Sequence, residues 1–257
     1  MHLINSQLVC ADYSKDYPQI SHAKGIYYYD TNGKKYLDAS GATATVTNIG
    51  HGVEEIADVL REQAAKIAVH PAHLFYNPEV ENYFKNLCEF APKGFNHAWT
   101  ISGGTAAVEN AVKLAFQYQR SKGRKRTKVL ARWGSYHGNS IFNLDFGGNK
   151  LRRDYYEDLM KDHPHLSPCF QYRRPADMSI EEYEDTLINE FDETTKTYKD
   201  DIICFVAEPV VGAALGAVGP TPNYLKRMKE ICVREDILFI ADEVMTGFGR
   251  TGKNFAM

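Results

Sequence analysis

The chain has 257 residues, 30 Lys+Arg against 33 Asp+Glu for a formal net charge of −3, and 44% hydrophobic with 25% charged residues. These proportions suit a chain that folds around an apolar core, and they exclude a disordered, collagenous or coiled-coil polymer. No basic excess points to nucleic acid or an anionic membrane surface, and the length suggests one large domain with at most a small appendage.

The opening segment MHLINSQLVCADYSKDY has no basic stretch followed by an apolar run, so it does not read as a signal peptide. The longest apolar stretch, residues 202–219, carries Glu208, Pro209 and several glycines. It reads as a buried strand entering a glycine-rich loop, since a bilayer span would not place a carboxylate and a proline there. The five cysteines, Cys10, Cys88, Cys169, Cys204 and Cys232, are odd in number and never in CxxC spacing. They read as reduced thiols of a cytoplasmic protein, with neither a disulfide framework nor a metal site.

In chain order, residues 26–38 (IYYYDTNGKKYLD) predict a hairpin. Two aromatic-rich strands flank a turn at Asp30-Thr31-Asn32-Gly33, where Asn-Gly supplies positive φ. Small residues dominate 39–47, followed by Gly50-His51-Gly52. Apolar residues Ile56, Val59, Leu60 and Ile67 recur at helical spacing across 53–67, and a second helix starts at Pro78, where proline is best tolerated, and runs to about residue 91. Beyond it the pattern alternates. HAWTI (97–101) predicts a strand, 106–123 a helix ending at Gly123, and 128–133 a strand, followed by an irregular stretch over 134–175. A serine-capped helix over 179–195, a strand over 202–209, a helix over 223–236 and a strand over 237–244 complete the order. The last two strands are near-continuous apolar runs, the mark of strands covered on both faces, and the alternation predicts an α/β fold with a mainly parallel sheet.

Ligands of such sheets bind beyond the carboxyl ends of the strands. After HAWTI, Ser102-Gly103-Gly104-Thr105 opens into a helix, where close backbone approach and unpaired N–H groups suit a phosphate. Taken alone, the same residues describe a plain tight turn with a hydroxyl cap. After KVLARW comes Gly134-Ser135-Tyr136-His137-Gly138, where Tyr136 is placed to stack on a planar ligand and His137 reads as a base, a ligand or a capped loop histidine. Glu208 and Asp242 close the two late strands. A buried carboxylate there is costly without a partner, which is either a core cation or a cationic ligand atom. The combination decides. An anion cradle, a stacking ring and a buried acid together suit a flat aromatic ligand with a phosphate at one end and a basic nitrogen at the other, as in pyridoxal 5′-phosphate.

With ADEVMTGFGRTG, SGGTAAVENAVKLA, SYHGN, AEPVVGA, GHG and YYYDTNGKKYLDASG in this order, the chain resembles the class III (subgroup II) pyridoxal-phosphate aminotransferases of fold type I, a group that includes ω-amino acid transaminases. The resemblance implies a large cofactor-binding domain with a mainly parallel sheet and helices on both faces (residues 51–257), preceded by a small N-terminal α+β segment (residues 1–50). It implies cofactor contacts as follows. Gly103, Gly104 and Thr105 donate to the phosphate, backbone donation being what remains where the family usually carries serine and then an acid. Tyr136 stacks on the pyridine with His137 beside it. Asp242, the catalytic acid, pairs with the ring nitrogen, Val244 presses on the opposite face, and Glu208 lies on the substrate side. Gly247, Gly249, Arg250 and Gly252 form the loop after the acid strand. The small residues of 40–45, where many relatives place a bulky aromatic, imply a roomier or different substrate pocket.

The same resemblance places the Schiff-base lysine one strand and loop beyond GFGRTG. Lys253 is too close to the acid strand for that role, and the small C-terminal domain is absent from these residues. The implied parent is a homodimeric, cytoplasmic transaminase that moves an amino group from an amino acid or amine to a 2-oxo acid. The alternatives are a non-catalytic or split half that needs a separate C-terminal chain, and an aminomutase or decarboxylase of the same fold, which would share every residue quoted. An incomplete sheet would expose a strand edge and an apolar face, so the isolated chain is expected to be poorly soluble, oligomeric or bound to a partner.

Overall fold

The computed structural model describes Gln7, Val9 and residues 12–257. Cys10 lies outside the described residues, and the other four cysteines are free thiols. The chain forms two compact units, residues 1–82 and 83–257.

The first unit holds a three-stranded antiparallel sheet of β1 (Ile20–Lys24), β2 (Tyr27–Asp30) and β3 (Lys35–Leu37). The expected hairpin is β2–β3, with Tyr28 opposite Tyr36. Asp30 organises its turn by accepting from the Asn32 and Lys34 N–H groups at 2.9 Å each and from the Tyr36 hydroxyl at 3.0 Å. β1 escaped the sequence reading because ISHAK shows little apolar alternation, and pairing with β2 is what makes it a strand. A short π-helical turn at Gly41–Thr45 follows, with Ala42 and Thr45 at φ of 63° and 59°. Asp38 supports it by accepting the Ala42 N–H at 2.7 Å and pairing with His51 at 3.0 Å. Helix α1 (Glu54–Lys66) comes next, and α2 (Pro78–Phe90) begins at the expected proline.

The second unit is α/β. A sheet of order β5-β4-β6-β7, parallel at every pairing, is built from β4 (Lys128–Arg132), β5 (His165–Leu166), β6 (Ile202–Ala207) and β7 (Leu238–Ala241). Every residue of β6 is buried, as its apolar run requires. One core lies on the side of α6 (Ile180–Thr197) and α7 (Tyr224–Arg234), where Phe191, Leu187 and Met228 pack with Leu130 and Phe205. The other lies under α3 (Gly104–Ser121), where Val108, Val112 and Ala115 pack with Val129, Ala131, Ile203 and Val206. Helices therefore cover both faces. Burial pushes the Cys232 thiol up to about 12, and pushes that of Cys204 up further, which leaves both inert. Ser179 caps α6 in a reciprocal capping box with Glu182.

Two expectations change. Residues 97–101 form no strand: they find no ladder partner among the described residues, and Trp99 is 72% exposed. A β-propensity is realised only when a neighbouring strand accepts its hydrogen bonds. The stretch 134–175, expected to be irregular, contains α4 (Ile141–Phe146), α5 (Lys150–Arg153), two 3₁₀ segments (Asp154–Leu159 and Gln171–Arg173) and β5. These elements are too short to show a period. No described helix is long and apolar enough to cross a membrane.

Phe191 is fully buried and meets Phe205 edge-on at 4.9 Å. Phe191→Ala is expected to destabilise the chain by about 3–5 kcal/mol, seen as a lower midpoint of denaturant unfolding at unchanged slope. A shift below about 1 kcal/mol would contradict the packing described.

Candidate active site

Three parallel strands end on the same side of the sheet, and each end delivers a polar group. β7 ends at Ala241, and the Asp242 N–H donates to the Ala207 carbonyl at 2.9 Å, which brings the ends of β6 and β7 together. The Asp242 side chain is buried, at 7% exposure. One of its oxygens meets His137 Nδ1 at 2.8 Å and the other accepts the Val244 N–H at 3.2 Å. A carboxylate only accepts, so His137 Nδ1 carries the proton and donates. Its Nε2 is buried and finds no hydrogen-bond partner among the described residues. The imidazole also stacks on Phe146 with centroids 5.9 Å apart.

Glu208 follows β6 and is equally buried. Its carboxylate accepts the Tyr136 N–H at 3.3 Å and the Gly212 N–H at 3.4 Å, while its backbone carbonyl takes the Arg132 guanidinium at 2.7 Å. Burial pushes its carboxyl up from the usual glutamate range. The Asp242 charge pushes the same way, and His137 and Arg132 only partly oppose it.

The loop after β4 carries Tyr136 and His137. It turns sharply at Gly134, at φ +75°, and the Ser135 hydroxyl ties it down by donating to the Arg132 carbonyl and accepting the Gly148 N–H. Gly148 is required here, because a Cβ would lie 2.0 Å from the Arg132 carbonyl oxygen. Tyr136 is half-buried, and the Arg152 guanidinium lies 4.8 Å from its ring centre.

The start of α3 completes the group. Gly103 is extended, and the first bond of the helix runs from the Ala107 N–H to the Gly103 carbonyl. The N–H groups of Gly104, Thr105 and Ala106 precede it, at the positive end of the helix dipole. Gly104 packs on Val244 so closely that a Cβ would meet Val244 Cγ1 at 2.8 Å. The Thr105 hydroxyl donates to the Asn139 side-chain oxygen at 3.2 Å, leaving its own N–H as the group offered at the helix start.

Contacts thus connect all eight residues singled out from the sequence: Gly103, Gly104 and Thr105 at the helix start, Tyr136 and His137 in the loop, and Glu208, Asp242 and Val244 at the strand ends. Three further residues of the assembly escaped the sequence reading. Arg132 left a signal, as a charge inside an apolar strand. Asn143, which binds Thr105 and His137, and Arg152 left none, since their partners are distant in sequence or are aromatic faces.

The family profile described as "Aminotransferase class-III" matches residues 11–257. The chain belongs to the class III aminotransferase family. Enzymes of this family depend on pyridoxal phosphate. Among curated relatives, the uncharacterized aminotransferase YodT of Bacillus subtilis is 38% identical over 255 residues, covering 98% of this chain and 57% of that protein. The putrescine–pyruvate aminotransferase of Pseudomonas aeruginosa is 31% identical over 241 residues, covering 92% and 52%. Among solved structures, a thermostable (S)-enantioselective ω-transaminase from Thermomicrobium roseum superposes with a TM-score of 0.89 at 32% identity, covering 99% of this chain and 58% of that one. This class III chain therefore has the fold of the pyridoxal-phosphate transaminases and spans somewhat over half the length of the relatives it matches.

The raised Glu208 carboxyl sets a pH dependence. Its folded-state value exceeds its unfolded value, so the folded chain holds the proton longer. Stability is then lost as pH rises from the ordinary glutamate range, about 4.3, to the raised folded value. Glu208→Gln, which carries no titrating group, is expected to gain thermal stability relative to the native chain as pH rises through that window. A stability difference that stays constant with pH would refute the assignment.

Proposed function

We propose that this chain carries the cofactor-binding part of a transaminase that moves an amino group between an amino acid or amine and a 2-oxo acid through pyridoxal 5′-phosphate. The observation that carries the reading is Asp242: a buried carboxylate at a parallel-strand end, oriented by His137 on one oxygen and the Val244 N–H on the other. It lies in contact sequence with a helix start that offers unpaired N–H groups. The residues fit the cofactor chemically. Gly104 leaves its backbone uncovered by any side chain of its own and packs directly on Val244, which is 62% exposed and presents an apolar face.

When bound, the cofactor supplies an electron sink that works best with its pyridine nitrogen protonated. Asp242 accepts the hydrogen bond from that nitrogen, and the His137 bond keeps the carboxylate from rotating away. The backbone N–H groups of Gly104 and Thr105, with Gly103 allowing close approach, hold the phosphate at the helix dipole. Tyr136 and Val244 hold the ring between an aromatic and an aliphatic face, and Glu208 borders the substrate side. In this reading residues 1–50 and 51–257 are the small N-terminal segment and the large cofactor-binding domain, and the working enzyme is a cytoplasmic homodimer.

Titration of the full chain with pyridoxal 5′-phosphate, followed by the absorbance of the bound cofactor, tests the reading. Saturable binding is expected, and Asp242→Asn should weaken it by about tenfold or more, the worth of a hydrogen bond to a charged partner. Absence of binding, or an unchanged affinity in the variant, would overturn it.

A further inference from the structure

Asn143 is fully buried, and no contact with the ligand has been assigned to it above. Its amide nitrogen donates twice, to the Thr105 carbonyl in the first turn of α3 at 2.9 Å and to the His137 carbonyl at 2.7 Å. These acceptors belong to the two halves of the site: the helix start that faces the phosphate and the loop that carries the stacking ring and the partner of Asp242. Its backbone is fixed as well. The Asn143 N–H donates to the hydroxyl of Ser140, the N-cap of α4, at 3.3 Å, and the same hydroxyl donates to Glu109 of α3. The fit leaves no slack, because a Cβ on Gly138 would lie 2.5 Å from the Asn143 amide nitrogen and 2.9 Å from the Thr105 hydroxyl.

A primary amide is the shortest uncharged side chain with two N–H donors on one atom. A hydroxyl offers one donor, and a hydrocarbon of the same volume offers none. Only such a group can tie two carbonyls from separate segments with a single side chain at this depth.

We propose that Asn143 is a positioning residue that clips the phosphate cradle to the ring-binding loop and so fixes the distance between the two ends of the cofactor site. The inference rests on the cofactor reading above. A ligand that engages both ends at once gains because the second contact is made within a preset geometry; a ligand that touches one end gains nothing from the clip.

Three probes separate these cases in calorimetric titrations of the full chain: inorganic phosphate for the cradle, pyridoxine for the ring, and pyridoxine 5′-phosphate for both. None has an aldehyde that could react with surface lysines. The native chain is expected to bind pyridoxine 5′-phosphate more tightly than either partial probe by on the order of 100-fold. Asn143→Leu, matched in volume but without donors, is expected to lose about tenfold or more of that advantage while its affinity for inorganic phosphate stays unchanged. Asn143→Ser, which keeps one donor and leaves room for water, is expected to fall between them and serves if the leucine variant fails to fold. Full retention of the advantage in the variants would overturn the clip alone, as would an equal loss for all three probes, the sign of a merely structural residue. A native chain that binds pyridoxine 5′-phosphate no better than phosphate would overturn the clip and the cofactor reading together.

Discussion

The site depends on the burial of two carboxylates, Asp242 and Glu208, at one end of one parallel sheet. An ionised carboxylate taken out of water without partners is among the most costly groups a fold can hold. Here the cost is offset unevenly. Asp242 has a histidine on one oxygen and a backbone N–H on the other. Among the described residues, the Glu208 carboxylate accepts two long backbone contacts, and the Arg132 guanidinium goes to its carbonyl instead. Burial, with the Asp242 charge beside it, drives the Glu208 carboxyl upward.

The parallel sheet makes this arrangement possible. Because β4, β6 and β7 run the same way, their carboxyl ends and the loops that follow them gather on one side. Two apolar cores, one on each face, hold the strands in register without using any of the polar residues at their ends. Polar side chains do the remaining work of joining loop to loop: Ser135 closes the turn after β4, His137 joins that loop to β7, and Asn143 joins it to α3. The glycines that matter lie where segments cross. Gly104 admits Val244, Gly138 admits the Asn143 amide, and Gly148 admits the backbone of the turn.

Much of this was legible in the residues. The apolar runs of β6 and β7 announced strands buried on both faces. The capping residues of α6 and the proline of α2 marked helix starts, and the glycine-rich and acidic motifs at strand ends named the residues that the structure assembles. The two misread strands share one cause. HAWTI has the residues of a strand but no partner among the described residues, whereas ISHAK lacks the pattern and becomes β1 because β2 lies beside it. Strand identity is a property of a pair, and one segment holds only half of it. Short elements such as α4 and α5 fall below the length at which a helical period can be counted.

By itself, the sequence determined which chemical groups are present, the order in which α/β elements carry them and the family to which they belong, because periodicity, caps and motifs are local. Only the tertiary structure decided which groups meet. The approach of His137 to Asp242 spans 105 residues and that of Tyr136 to Glu208 spans 72. The bifurcated hold of Asn143 has no counterpart in spacing along the chain. Such contacts are set by how a sheet closes and how loops cross over it, and their energies depend on burial, which no single stretch of sequence contains.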